Sequence, residues 1–198
     1  MKIYGDIKSG NCFKVKLLCE LLDIEYEWVH VDILAGETGA SDFLIKNPNG
    51  KIPLLELVDG RCISESNAIL NYLAYGSDLL PKDSYELAKV QQWQFFEQYS
   101  HEPFIAVARF IAKYLGLPEA RRAEYESKQK GGNKALSVME TQLINTPYLV
   151  GDKLTTSDIA LYGYTHVAHE GGFDLANYPA VQSWLERIAS NPKYVGME

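Results

Sequence analysis

Residues 1–31, MKIYGDIKSGNCFKVKLLCELLDIEYEWVHV, decide the fold of the first part of the chain. The segment KIYG has the composition of a short strand. Apolar side chains recur at helical spacing in residues 11–22, which predicts an amphipathic helix with Lys14 and Lys16 on its outer face. The last five residues alternate and are rich in β-forming types, so they predict a second strand. These elements favour a β-α-β unit with two parallel strands.

The segment that follows predicts a second helix, a hairpin and a third helix. A short helix is expected to begin at Ser41, whose hydroxyl can cap it. Asp59-Gly60 lies between two β-rich segments and is a strong hairpin signal. A third helix then starts at Ser64 or Glu65. The order β-α-β-α-β-β-α predicts a mixed sheet with helices on its faces.

The remainder of the chain is helical in pattern. Residues 76–84 contain a proline and indicate a linker. Asp83 and Glu86 have the spacing of a capping box, which predicts the start of a long helix. That helix is expected to run to Tyr114 with a bend at Pro103, because proline cannot donate a backbone hydrogen bond.

Three further helices are expected. Residues 118–143 predict one kinked helix, despite the Gly131-Gly132 pair in its middle. Thr155 and Asp158 form another capping-box pattern, and a final helix is expected over residues 179–190. The sequence therefore predicts an α/β domain at residues 1–76 followed by an all-helical domain at residues 84–198.

Composition narrows the function. The 198-residue chain has a formal net charge of −7, which argues against nucleic acid or an anionic membrane as the main partner. The three cysteines form no CxxC motif, which fits free thiols in a reducing compartment. The four histidines lack metal-ligand spacing, so no metal is predicted. With no secretory signal and no apolar stretch long enough to span a bilayer, the chain is expected to be soluble and cytoplasmic.

Ser9 is the candidate catalytic group. The α/β part has the shape of a thioredoxin fold, whose redox members carry CxxC at the turn from the first strand into the first helix. Here that turn is Ser9-Gly10-Asn11-Cys12, so a dithiol cycle is not available. The Ser9 hydroxyl could instead donate a hydrogen bond to a thiolate brought by a ligand. Lowering a thiol pKa by about two units costs about 2.7 kcal/mol, which one or two charge-assisted hydrogen bonds can supply.

Two alternatives remain open at this turn. Ser9 has a simpler interpretation as the N-cap of the helix, which on this tetrapeptide alone is the commoner role for serine. Cys12 is a rival for the working group, and it could equally be a buried thiol that packs as a small hydrophobe.

Two further segments carry candidate binding residues. A cis bond at Ile52-Pro53 would turn the Ile52 backbone outward to pair with a bound peptide, with Lys51 near one of its carboxylates. At the third helix, backbone N–H groups and the Ser66 hydroxyl could hold a carboxylate, and Glu65 could accept from an ammonium group. Taken singly, each segment is more often an ordinary strand edge or helix start.

The joint spacing of these signals resembles the glutathione transferases over essentially the whole chain. Ser9 and Asn11 resemble the Ser-x-Asn signature of theta-like and bacterial members. Ile52-Pro53 resembles the Val/Ile-Pro step of the family, and Glu65-Ser66 resembles the Glu-Ser pair at its third helix. The capping box in the helical part is also similar. The resemblance implies a thioredoxin-like domain joined to an all-helical domain, with glutathione as co-substrate. It assigns Ser9 and Asn11 to catalysis, and it assigns glutathione binding to Lys51, Ile52, Pro53, Glu65 and Ser66.

The implied activity is transfer of glutathione to an electrophilic hydrophobic small molecule. Isomerisation, dehalogenation or disulfide reduction with glutathione is the alternative on the same fold, and a non-catalytic ligand-binding module is another. Tyr99 and Arg109 are the candidates for the exposed wall of the acceptor site. A homodimer is also expected, with the first domain of one subunit packed against the long helices of the other, because residues 84–114 are apolar around more of the helix than one buried face requires. The alternative is that the later helices of the same chain bury all of this surface.

Overall fold

The computed structural model describes residues 1–197, which divide into two compact units. The first unit comprises residues 1–77 together with the segment from Pro192 onward, and the second comprises residues 78–191. The sequence placed the C-terminal segment in the helical domain 84–198, whereas in the structure it groups with the first unit. An ion pair between Lys193 and Asp23 ties it to the first unit.

The first unit is a four-stranded mixed sheet with three helices. Its elements are β1 (Lys2–Gly5), α1 (Gly10–Leu21), β2 (Glu27–His30), α2 (Ser41–Lys46), β3 (Leu54–Glu56), β4 (Cys62–Ser64) and α3 (Ser66–Leu73). The strand order is β2-β1-β3-β4, with β1 and β2 parallel and the other pairs antiparallel. This order confirms the predicted thioredoxin-like architecture.

Neighbouring residues of the sheet pack into two separate cores, because successive side chains of a strand point to opposite faces. Leu55 packs with Ile3 and with Val15 of α1, whereas Leu54 packs with Phe43 of α2 on the other face. One detail of α2 differs from expectation. Ser41 is its first residue and not its cap, and the preceding Ala40 makes no side-chain cap bond.

The second unit is entirely helical in the residues that the structure describes. Its α-helices are α4 (Ser84–Phe96), α5 (Glu102–Arg109), α6 (Arg122–Leu143), α7 (Thr156–Thr165) and α8 (Pro179–Ala189). π-helical segments Glu97–His101 and Phe110–Tyr114 follow α4 and α5, so the helical path from Ser84 to Tyr114 is continuous but not uniformly α. Pro103 lies in the first turn of α5, where its missing N–H is tolerated, and the first of the two π-helical segments comes just before it.

The glycine pair does not interrupt α6. A side chain at Gly131 would overlap the ring of Phe104, and one at Gly132 would overlap the ring of Phe173. The glycines therefore allow two aromatic rings to reach the helix backbone, which offsets their poor helix propensity.

The predicted capping box of α7 is present. Thr155 and Asp158 exchange side-chain and backbone bonds, and the buried Asp158 carboxylate also accepts from the backbone of Leu149 and from the indole of Trp184, which lies in α8. This carboxylate therefore links the start of α7 to two other segments of the second unit. Among residues 1–197, no helix combines the length and the apolar character that crossing a membrane requires.

Candidate functional site

The turn from β1 into α1 places Ser9 at the helix start. Asp6 shapes this turn, since its carboxylate accepts from the Lys8 amide at 2.8 Å and its carbonyl accepts from the Ser9 amide at 3.0 Å. Ser9 has extended backbone angles, and its Oγ accepts from the Cys12 amide at 3.4 Å. Ser9 is therefore the N-cap of α1. Because Oγ acts here as an acceptor, the hydroxyl hydrogen is not used by this bond and can be donated to the neighbouring Cys12 sulfur or to a ligand.

The Cys12 thiol belongs to the core of the first unit. Cys12 is completely buried, and its Sγ lies so close to Gly5 that a Cβ at that position would be only 2.9 Å away. Burial raises the pKa of Cys12 to about 12, against the opposing effect of a hydrogen bond with Ser9. A thiol with this pKa is almost entirely protonated at neutral pH. The structure therefore favours the interpretation of Cys12 as a packing residue over that of a working group.

Lys14 does not lie on the outer face of α1, as the sequence predicted, but is fully buried. Its Nζ donates to Asn11 Oδ1 at 2.6 Å and approaches Ser66 Oγ at 3.4 Å, while Ser66 Oγ lies 3.2 Å from Asn11 Oδ1. The three polar side chains form one cluster, the Lys14–Asn11–Ser66 cluster, that joins the starts of α1 and α3. A signal for this placement was present, because Lys14 is three residues after Asn11 and four before Leu18, on the face that helical periodicity turns inward.

Glu65 introduces α3 in an unusual conformation. Its φ of 68° and ψ of 113° lie outside the regions that L-residues prefer, although glycine is not used here. Glu65 is exposed, whereas Ser66, the first residue of α3, is 5% exposed. The conformation places an exposed carboxylate at the N-terminus of a helix, where the helix dipole favours an anion.

The loop before β3 is held by Asn47, which the sequence did not mark as a candidate site residue. Asn47 is buried, donates from Nδ2 to the Lys51 carbonyl at 2.7 Å, and accepts from the Asn49 amide at 3.2 Å. The signal is an asparagine followed by a proline and a short polar loop, because such side chains bond their own backbone locally. The Ile52-Pro53 peptide bond is cis, as predicted. Lys51 is exposed and Ile52 is partly exposed.

The two residues proposed for the acceptor wall differ in environment. Tyr99 lies in the first π-helical segment and is 85% exposed. Arg109 was expected to be exposed, but it is 4% exposed and forms an ion pair with Glu170 at 2.6 Å. Although burial alone would raise the pKa of Glu170, hydrogen bonds from Lys113 and Arg109 hold it below its usual value. Arg109 is therefore a buried ion-pair residue and not part of an exposed wall. Removing either partner of such a pair would leave an uncompensated buried charge.

The structure thus shows direct contact between two of the predicted site residues, Asn11 and Ser66. Ser9, Lys51, Ile52, Pro53 and Glu65 belong to the same compact unit, whereas Tyr99 belongs to the other. Within residues 1–197 no group of three or more His, Cys, Asp or Glu side chains has the arrangement of a metal site.

Comparison with known proteins identifies the family of both parts of the chain. Residues 1–75 match the family model of the glutathione S-transferase N-terminal domain, and residues 94–192 match that of the C-terminal domain. A glutathione S-transferase from Pseudomonas fluorescens Pf-5 has a crystal structure that superposes with a TM-score of 0.98 at 62% identity, covering 99% of this chain and 98% of that one.

Two more distant relatives show how widely this fold is used. Glutathione S-transferase 3 of Zea mays is 32% identical over 98% of this chain and 91% of its own length. The maleylacetoacetate isomerase of Methylobacterium extorquens AM1, solved with malonate and glutathione bound, has a TM-score of 0.83 at 29% identity and covers 98% of this chain and 94% of that one. With both family models matched and a relative this similar over nearly its whole length, the chain belongs to the glutathione S-transferase family.

Proposed function

We propose that this protein is a glutathione transferase that ionises the thiol of glutathione and directs it at an electrophilic, hydrophobic small molecule. The observation that carries the proposal is the meeting of two helix starts at Asn11 and Ser66, close in sequence to Ser9 and Glu65. Two helix N-termini in one region favour a ligand with more than one negative charge. Glutathione with an ionised thiol is such a ligand.

Each part of an extended glutathione has a complementary group in the first unit. The γ-glutamyl carboxylate fits the N–H groups at the start of α3 and the Ser66 hydroxyl, and its ammonium group fits the exposed Glu65 carboxylate. The cysteinyl backbone is assigned to the Ile52-Pro53 segment, and the glycyl carboxylate to Lys51.

Thiol ionisation is assigned to Ser9, supported by Asn11. The Ser9 hydroxyl hydrogen donates to the thiolate, and the proton of the thiol passes to solvent. A free thiol of pKa about 8.5 is only about 3% ionised at pH 7, so a shift of about two units makes the thiolate the main species. The thiolate sulfur then donates an electron pair to the electrophilic carbon, and the leaving group departs with the bonding pair.

The acceptor is assigned to the helical unit, with Tyr99 as the remaining candidate wall residue. An apolar wall selects hydrophobic acceptors and excludes water from the reaction. Glutathione-dependent isomerisation is a second candidate, since an isomerase with glutathione bound shares the fold over nearly the whole chain.

A homodimer is proposed as the working form. Phe95 of α4 is 71% exposed, and Val138 of α6 is 40% exposed, so apolar surface remains on the long helices of the second unit. A cavity of about 420 Å³ between these helices is lined by residues of both, including Trp93, Phe96 and Val138. Coverage of such a surface by a second copy is the usual solution in soluble proteins. All three cysteines are free thiols, which supports a cytoplasmic location.

The test is a binding and activity screen. Calorimetry with reduced glutathione is expected to show one site per chain. A panel of aryl halides, alkyl halides, epoxides, unsaturated carbonyls and disulfides is then assayed with and without glutathione. Glutathione-dependent consumption of at least one carbon electrophile supports the proposal, whereas consumption of disulfides alone, or glutathione binding with no turnover, contradicts it.

A further inference from the structure

Lys14 is a buried cation in direct contact with the proposed glutathione site. It lies in α1, is 0% exposed, and donates to Asn11 Oδ1 at 2.6 Å. We propose that Lys14 is a positioning residue that orients Asn11, releases the Ser66 hydroxyl for a ligand carboxylate, and supplies a fixed positive charge for the anionic groups of glutathione. This inference rests on the proposed function and deepens it.

The first step concerns the orientation of the Asn11 amide. An ammonium group has three donors and no acceptor, so the atom of Asn11 that faces Lys14 must be the amide oxygen. The amide NH₂ group of Asn11 is then held on the other side, away from Lys14. Without this contact, the amide of Asn11 could turn either its oxygen or its nitrogen toward a ligand. The contact with Lys14 therefore fixes Asn11 as a hydrogen-bond donor on the side away from Lys14.

The second step concerns the single hydrogen of the Ser66 hydroxyl. Ser66 Oγ lies 3.2 Å from Asn11 Oδ1, to which it donates. A ligand carboxylate at the start of α3 requires that same hydrogen. When Ser66 turns to the ligand, Lys14 still satisfies the Asn11 oxygen, so no buried acceptor is left without a donor. Lys14 therefore lowers the cost of releasing Ser66.

The third step concerns charge. Lys14 is fully buried, whereas Lys51 is exposed. The field of a buried charge is screened less by solvent, so at equal distance Lys14 acts on a nearby anion more strongly than an exposed lysine does. Its charge adds to the positive ends of α1 and α3 at their meeting point. Both the carboxylate and the thiolate of the ligand benefit, which links this residue to affinity and to the thiol pKa together.

The test compares Lys14→Met with Lys16→Met. Methionine is an unbranched side chain only one atom shorter than lysine, and it removes the charge and the donors. Lys16 lies two residues further along the same helix, is partly exposed, and is not assigned to the site. The thiol pKa in the complex is read from the ultraviolet absorbance of the thiolate as a function of pH, and the dissociation constant is read from calorimetry.

For Lys14→Met we expect a rise of about one unit in the thiol pKa and about a tenfold weaker binding of glutathione. The loss of kcat/KM for glutathione should be largest at acidic pH and should shrink to the loss of affinity as the pH is raised, a pH dependence that a purely structural defect would not produce. Lys16→Met should match the wild type in every measurement.

Equal thiol pKa values and equal affinities in the Lys14→Met and Lys16→Met variants would overturn the role of Lys14 and leave the proposed function standing. If Lys14→Met does not fold, Lys14→Gln decides the question, since it keeps a donor for Asn11 but lacks the charge. An unchanged thiol pKa in Lys14→Gln also overturns the electrostatic role. A wild-type protein that binds no glutathione is a different result, because it removes the proposed function and this inference with it.

Discussion

Ser66 Oγ lies 3.2 Å from Asn11 Oδ1, which brings together side chains from the first turns of two helices separated by 55 residues of sequence. The first of these helices, α1, follows β1, which is the first strand along the chain. The second, α3, follows β4, which is the last strand. The contact is a hydrogen bond between polar groups in a region where Lys14 is completely buried. Asn11, Lys14 and Ser66 therefore share one hydrogen-bond network, and disturbing one of the three should affect the other two.

Ser9→Ala tests the assignment of the thiolate donor. We expect the pKa of the bound thiol to rise by about one to two units and kcat to fall about tenfold to a hundredfold, because one charge-assisted hydrogen bond is lost. Glutathione affinity should change less, and loss of the cap should lower the free energy of unfolding by about 1 kcal/mol. Thiolate absorbance, steady-state kinetics and urea unfolding measure these three effects.

Ser41→Ala is the matched control, since Ser41 lies at the start of α2 in the same unit and is exposed. It should leave the thiol pKa and the turnover unchanged. Cys12→Ala provides the opposing case. Because the thiol is buried, its removal should lower the free energy of unfolding by about 1–2 kcal/mol, while activity is retained. An inactive Cys12→Ala together with an active Ser9→Ala would show that the working group had been assigned wrongly.

Glu65→Gly should separate binding from stability. Because Glu65 has a φ of 68°, glycine relieves its conformation, and the free energy of unfolding should not fall. Glutathione binding should nevertheless weaken about tenfold or more, since the acceptor for the ligand ammonium is lost. Calorimetry and urea unfolding on the same preparation test the two effects.

Asp23→Gly is the control for Glu65→Gly, because Asp23 also has a positive φ and belongs to the same unit. It should leave glutathione affinity unchanged. Equal affinity in the Glu65→Gly variant and the wild type would remove Glu65 from the binding site.

Phe95→Glu tests the dimer. The side chain is 71% exposed on α4, and a carboxylate there should oppose the burial of that surface against a second copy. Sedimentation at micromolar concentration is expected to give a wild-type mass of about twice 22.3 kDa and a variant mass shifted towards one chain. Val58→Glu, on an exposed turn of the first unit, is the comparison variant and should behave as the wild type. A wild-type mass of a single chain would refute the dimer.

His166 should make the protein sensitive to acid. Burial lowers its pKa to about 4, helped by the Arg109 charge and opposed by the hydrogen bond to the Tyr162 carbonyl. In the unfolded chain the pKa returns to about 6.5, so the unfolded state binds more protons between these values and stability falls as the pH falls. Its contribution is present at neutral pH and decreases by about 2 kcal/mol between pH 7 and pH 5.

Urea unfolding at the two pH values measures this loss. His166→Phe keeps an aromatic ring to stack on Tyr162, against which the imidazole lies at 4.7 Å between centroids. Between pH 7 and pH 5 the free energy of unfolding of that variant should fall by about 2 kcal/mol less than that of the wild type. If the variant and the wild type lose the same amount, His166 is not the titrating group.

Patterns local in the sequence were sufficient for much of the fold. The alternation and helical spacing of residues 1–31, together with the Asp59-Gly60 turn, predicted the order of strands and helices in the first unit, because periodicity and turn chemistry act over a few residues. The capping box at Thr155 and Asp158 was likewise predictable from spacing alone. The same local signals located Ser9 and Ser66 at helix starts.

Tertiary packing decided what those side chains do. Lys14 was expected to face outward because it is charged, yet the approach of α3 to α1 buries it against Asn11 and Ser66. Arg109 is buried for a similar reason, since Glu170, 61 residues away, pairs with it. The sequence by itself determined the order and the approximate bounds of the helices and strands, because those preferences are local. Which charged side chains are buried, and with which partners, was decided only by contacts between distant segments, whose desolvation and pairing energies do not exist until the chain has folded.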